Sequence, residues 1–166
     1  MKVLETDRLL LRHLSEADAP FMLELMNEPD FHRFVGDRGV RTTEDAAAYL
    51  AEKILPSYDR FGFGFYLVEL KSTGAAIGIC GLIKRDMLEW VDVGFSFLET
   101  HRGKGYAFEA ATAVMEYGRT QFGLLRIIGV TAPDNQISIR LLEKLGLRFE
   151  KRIHLPNYGE ESLLFG

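Results

Sequence analysis

Hydrophobic positions recur along the chain with two periods, and the switches between them divide it into elements. Leu9 and Leu11 alternate with other positions over residues 6–13, which predicts a strand. Ser15 and Asp18 compete as N-caps of a helix reaching Met26, with Pro20 in the first turn, where its missing N–H costs little. Thr42 followed three residues later by Asp45 is a capping-box pattern with a shorter acid. It predicts a helix carrying Ala46, Leu50 and Ile54 on one face and stopping at Pro56. Two strand-like runs, 62–70 and 75–84, flank the turn residues Lys71-Ser72-Thr73-Gly74 and predict a hairpin. Residues 88–97 extend it into a three-stranded antiparallel meander, with Val91, Val93, Phe95 and Phe97 on one face and Trp90, Asp92, Gly94 and Ser96 on the other.

The period then lengthens. Ala107, Ala110, Ala111, Val114, Met115, Gly118 and Phe122 fall on one stripe of a long helix. Residues 126–132 are a short β-branched strand, Asn135 caps a helix through Leu145, and Gly146 supplies its stop. Residues 148–154 and 161–165 form a last hairpin. A meander followed by strand-helix-strand crossovers is an α+β, or mixed α/β, sheet sandwich. With no repeat, low-complexity stretch or Gly/Ser linker, residues 1–166 read as a single domain.

Composition narrows this only a little. A chain of 166 residues with 47% hydrophobic and 27% charged positions buries enough surface to need no staples and is neither collagenous, coiled-coil nor disordered. The single cysteine, Cys80, cannot form an intramolecular disulfide, and no string has zinc-ligand spacing, so no metal is expected. The charged opening residues and the absence of a long apolar run argue against a signal peptide or membrane span and for a cytoplasmic protein. Residues 1–60 hold 8 basic and 12 acidic side chains, while residues 61–166 hold 12 of each, so the net charge of -4 lies in the first third. That argues against nucleic acid as partner and fits either a solvated acidic surface or a cationic partner.

Two strings carry chemistry. In Arg102-Gly103-Lys104-Gly105-Tyr106-Ala107, two glycines between a strand and a long helix allow a tight turn in which successive N–H groups converge. With the helix N-terminus beside it, this is either a plain turn or an anion cradle suited to phosphate. It is not a Walker loop or a dinucleotide fingerprint, since no Gly-Lys-Ser/Thr follows and Phe108 stands where a third glycine would be. The second string is Asn135-Gln136-Ile137-Ser138 leading to Glu143-Lys144-Leu145-Gly146-Leu147, where cap residues and functional residues look alike. His13, His32, His101 and His154 suggest no triad, Cys80 reads as a buried small hydrophobe, and Phe31, Phe34, Phe61, Phe63, Phe65 and Tyr66 read as core or as the lining of an acceptor pocket.

Taken in order, these strings resemble the GNAT acetyltransferases over residues 6–165. Arg102, Gly105 and Ala107 match the Arg/Gln-x-x-Gly-x-Gly/Ala signature, and Asn135 with Glu143 to Leu147 matches the second. Glu5-Thr6-Asp7-Arg8-Leu9-Leu10-Leu11-Arg12 and Val93-Gly94-Phe95 resemble the branch containing the ribosomal-protein N-terminal acetyltransferases. The resemblance implies a central, mostly antiparallel mixed sheet flanked by helices on both faces. It implies acetyl-CoA as co-substrate, bound by Arg102, Gly103, Lys104, Gly105 and Ala107, with Asn135 at the pantetheine end. It leaves room for a homodimer and implies an amine acceptor, either a protein N-terminus or a small amine.

The resemblance also bears on catalysis. Many members protonate the departing thiolate with a tyrosine seven residues after the motif asparagine; here that position is Leu142, which cannot donate. The matching serine of the ribosomal-protein branch is Ser138, a hydrogen-bond donor to developing thiolate. For the base, Asp92 stands where members often carry glutamate, acting through water, with Glu89 as runner-up and a plain solvated aspartate as the rival reading. Loss of the tyrosine also leaves open a non-catalytic acyl-CoA-binding sensor.

Overall fold

Eight strands and six α-helices follow one another in the computed structural model, which describes residues 1–156 and 161–166. A hairpin of β1 (Lys2–Glu5) and β2 (Leu9–His13) leads into α1 (Ala19–Met26), α2 (Pro29–Phe34), α3 (Thr43–Tyr49) and α4 (Pro56–Phe61). Strands β3 (Phe65–Leu70), β4 (Ala76–Ile83) and β5 (Val91–Phe97) form the meander. After it come α5 (Tyr106–Phe122), β6 (Ile127–Thr131), α6 (Gln136–Lys144), β7 (Phe149–Ile153) and β8 (Ser162–Phe165). The strand order is β1-β2-β3-β4-β5-β6-β8-β7, and every neighbouring pair is antiparallel except β5 and β6.

The alternation of side chains along the strands builds a core on each face. In β3, Tyr66 and Val68 pack with Ala110, Ala111, Val114 and Met115 of α5. Leu67, between them, joins Met22, Leu25, Ala46 and Leu50 from α1, α3 and the turn after α3 on the opposite face. Where strands meet a neighbour's backbone, side chains are excluded: a Cβ on Gly81 of β4 would overlap the Gly64 carbonyl oxygen and crowd Phe65. Gly81→Ala is therefore expected to cost about 1–3 kcal/mol by overpacking, read as a lower melting temperature; an unchanged melt would show that β3 and β4 can separate there.

Several boundaries differ from the sequence expectation. Residues 2–5 add a strand before the expected one, held to β2 across a register shift. The segment expected as one helix to Met26 opens with a short 3-10 turn over Glu16–Asp18, where Asp18 Oδ2 accepts from the Ser15 N–H at 2.9 Å, before α1 begins. Thr42 and Asp45 form the reciprocal cap, with the Asp45 N–H on Thr42 Oγ1 at 3.0 Å and the Thr42 N–H on Asp45 Oδ2 at 3.2 Å. The helix does not stop at Pro56: α3 passes through a π-helical turn at Leu50–Ile54, and Pro56 opens α4. Proline is accommodated there because a first-turn residue needs no N–H partner. Helix α2 has no counterpart in the sequence reading. No helix among the described residues is long and apolar enough to cross a membrane.

Candidate active site

Among the described residues, the one parallel strand pair has the fewest paired residues. Val91 pairs with Ile127 and Asp92 with Ile128, and the ladder between β5 and β6 ends there. Beyond that seam β6 is bound on its far edge by β8, through Gly129, Val130 and Thr131, while β5 remains with β4 as far as Phe97. The sheet is split, and the split opens into two joined cavities of about 140 Å³ and 130 Å³. They share Phe31, Phe34 and Val35 above the sheet, Phe95 and Ser96 on β5, and Asn135 and Ser138 at the start of α6.

The outer cavity reaches Arg102 in the loop before α5, Ala107 in the first turn of α5, and Ile137 and Leu141 of α6. Gly103 and Gly105 have φ of +76° and +82°, the left-handed conformation that glycine adopts without penalty. The first helical bond of α5 runs from the Glu109 N–H to the Gly105 carbonyl at 3.0 Å, so the N–H groups of Tyr106, Ala107 and Phe108 lie ahead of it at the positive end of the helix dipole. Arg102 does not extend into this turn. Its Nε and Nη2 donate to the Phe97 carbonyl at 3.1 and 2.9 Å and its Nη1 to Asp30 at 2.5 Å, tying the loop to the end of β5 and to α2. Lys104 and Gly103 are exposed.

A second tie fixes the same turn from the other side. Glu109, in the first turn of α5, accepts from Thr6 Oγ1 at 2.5 Å, the Arg8 N–H at 3.0 Å and Arg8 Nε at 2.7 Å. Arg8 Nη1 also donates to the Lys104 carbonyl at 2.9 Å, and its guanidinium lies 4.4 Å from the Tyr106 ring centre. Burial works against the charge on Glu109, but the Thr6 hydroxyl, the Arg8 N–H and the guanidinium prevail and hold its carboxyl below the usual range.

The inner cavity ends at Asp92, 1% exposed, with Arg85, Thr131 and Ser162 beside it. Arg85 Nε donates to Asp92 Oδ2 at 2.6 Å. Burial pushes the Asp92 carboxyl above the ordinary carboxylate range, and Arg85 opposes without reversing the shift. The rival reading of a solvated strand aspartate does not hold, because the side chain is buried. Glu89 is exposed and lines neither cavity, so the runner-up base stands outside the cleft. Asn135 caps α6, its Oδ1 accepting the Ser138 N–H at 3.2 Å, and both residues line both cavities. Leu142, the position expected to show a missing acid, is fully buried beneath β6 against Gly129. A side chain there faces the core, so its identity says nothing about proton donation.

Residues 8–148 match the family described as the acetyltransferase (GNAT) domain. The chain is a GNAT acetyltransferase. An uncharacterized N-acetyltransferase of Bacillus subtilis, YnaD, is 31% identical to it over 145 residues, which is 87% of this chain and 82% of YnaD. The crystal structure of an acetyltransferase from Agrobacterium tumefaciens superposes with a TM-score of 0.82 at 27% identity, covering 99% of this chain and 92% of that one. RimL, a ribosomal-protein α-N-acetyltransferase solved in complex with coenzyme A, shares the fold with a TM-score of 0.83 at 16% identity, covering 99% and 96%.

Acetyl-CoA, the acyl donor implied for a GNAT acetyltransferase, fits the residues present. Its phosphates suit the turn at Gly103 and Gly105, where converging N–H groups and a helix N-terminus favour anions. Its amide-bearing arm suits a gap whose walls are the diverging edges of two strands. Among the described residues no group of three or more His, Cys, Asp or Glu side chains is placed to hold a metal ion. Arg85, Thr131 and Ser162 were not singled out in the sequence, because each joins the site through strand pairing and not through a local motif.

Proposed function

We propose that this acetyltransferase transfers acetyl from acetyl-CoA to a primary amine, a protein N-terminal α-amine or a small amine, by direct attack with both substrates bound. The observation that carries the reading is the run of shared lining along the split sheet, from Arg102 and Ala107, which flank the glycine turn, to the buried carboxylate of Asp92. Acetyl-CoA supplies an activated thioester. The chain's residues do the rest. The α5 N–H groups and the two glycines hold the phosphates, and Asn135 orients the arm near Ser138.

At neutral pH an amine with a pKa of about 8 to 10.4 is mostly ammonium. Asp92, poised above the usual carboxylate range, accepts the proton and leaves a nucleophilic nitrogen. Ser138 donates a hydrogen bond to sulfur as negative charge gathers there, an interaction that strengthens only as the C–S bond breaks. Mass spectrometry of acetylated amines, together with thiol release, tests the reading: amine-dependent release supports it, and release without any acetylated amine would refute it. Ser138→Ala is expected to lower kcat by roughly 10- to 100-fold, about 1.4 to 2.7 kcal/mol of transition-state stabilisation, with KM little changed. Full activity in that variant would remove Ser138 from the chemistry.

A further inference from the structure

The walls of the inner cavity say what kind of amine enters it. Met22 and Met26 of α1, Phe31 of α2, Tyr49 of α3, Ile54 and Phe65 form one side of the lining in front of Asp92, and the uncharged polar side chains Ser96, Thr131, Asn135, Ser138 and Ser162 complete it. The six residues of the first side are apolar over most of their surface, and the methionine thioethers and aromatic faces adapt to flat or branched hydrocarbon. Among the described residues, the only charged side chains lining the cavity are Arg85 and Asp92, and they are bound to each other at 2.6 Å. The nearby acids are engaged elsewhere: Glu28 accepts from the Glu99 N–H and, with Asp30, flanks Arg102.

We infer that the acceptor is an apolar primary monoamine, one ammonium on an aromatic or branched aliphatic group, and neither a polyamine nor an amino sugar. The inference rests on the acetyl-transfer reading and specifies its second substrate. The single ammonium meets Asp92 and yields its proton there. The freed nitrogen attacks the thioester carbonyl, the C–N bond forms as C–S breaks, the second proton lost from nitrogen passes to the departing sulfur to give the thiol, and Asp92 returns the first proton to solvent. A second ammonium would leave water without a carboxylate to meet it, which is strongly disfavoured. An amino sugar would lose the hydrogen bonds of its hydroxyls against methionine and phenylalanine.

The chemistry is the same whether the amine is free or is the first residue of a polypeptide, so the experiment separates the two. The purified chain is given acetyl-CoA with 2-phenylethylamine, isoamylamine, a peptide beginning with phenylalanine, a peptide beginning with alanine, spermidine and an aminoglycoside. Product is followed by mass, and calorimetry follows binding of each amine in the presence of CoA. The expected result is a kcat/KM for 2-phenylethylamine or the phenylalanyl peptide about 100-fold above spermidine; the faster of the two identifies the source.

Tyr49→Glu places a carboxylate on the apolar wall and is expected to shift the ratio toward spermidine by about 10-fold, with melting curves confirming a folded protein. Preference of the wild type for spermidine, the aminoglycoside or the alanyl peptide overturns the inference and leaves acetyl transfer standing. Apolar amines that bind without being acetylated overturn the transfer reading while supporting the cavity's chemistry. Neither binding nor transfer overturns both. A folded Tyr49→Glu with unchanged preference overturns the placement of the acceptor in this cavity.

Discussion

Asp92→Asn should lower kcat/KM near neutral pH by about 10²- to 10⁴-fold, the contribution general-base catalysis commonly makes. Asparagine keeps the shape and can still accept from Arg85, but it takes no proton from the ammonium. In the wild type the rate should rise with pH along a limb lying above the ordinary aspartate value of 3.8, because burial raises Asp92. In the variant the loss should shrink as pH climbs, since more amine then arrives neutral. Stability separates this from a structural role. Folded Asp92 holds its proton more tightly than the unfolded chain does, so its contribution to stability falls as pH rises through the window above 3.8. Asp92→Asn should lose that dependence, because the amide that replaces the carboxyl does not titrate. The measurement is a pair of pH–rate and pH–melting profiles, with Glu89→Gln on an exposed side chain as control. A wild-type rate profile in Asp92→Asn would remove it as base.

Gly105→Val should abolish detectable CoA binding, by more than about 100-fold in affinity, while backbone strain separately lowers stability. At φ +82° a β-branched residue is strained by about 1–2 kcal/mol, and its side chain occupies the space where phosphate meets the first N–H groups of α5. The added Cβ would also stand 3.4 Å from Arg8 Nη2, within ordinary contact, so the affinity loss does not come from a clash inside the protein. Gly39 provides the matched control. It has φ +74° with nothing within 4 Å of an added Cβ, so Gly39→Val should share the strain and keep CoA affinity. Calorimetry with CoA on both variants decides: equal affinity in a folded Gly105→Val would mean the phosphates bind elsewhere.

The parts of this enzyme readable from its sequence are those whose cause is local. Helix α5 was readable because its alanines and Val114 repeat at helical spacing, and the β3–β5 meander because alternation and the turn at residues 71–74 coincide. The turn at Gly103 and Gly105 and the Asn135 cap have the same character, since glycine and asparagine do their work within a few residues. Strand β1 and helix α2 escaped because they are short and bury little of their own: β1 buries no residue fully and α2 only Phe31. Asp92 was picked by its place on a strand face, yet its burial and its bond to Arg85 follow from how the β4–β5 connection folds back, which no period encodes. The resemblance assigns Arg102 to cofactor binding along with the rest of the turn, mostly through backbone N–H groups; its side chain, bonded to the Phe97 carbonyl and Asp30, holds the loop in a way no sequence pattern announces. The tie from Thr6 and Arg8 to Glu109 joins residues 103 and 101 positions apart, a distance over which sequence pattern carries no signal.

The split between β5 and β6 also fixes a gradient of width. Two half-sheets joined by a two-pair ladder diverge from that join, so the gap between them is narrowest beside it. Asp92 sits at the vertex, paired with Ile128. Ser96, four residues along β5, is about 13 Å out at 3.3 Å per residue. A long molecule entering from the outer cavity therefore meets a tapering slot whose tip is the buried carboxylate.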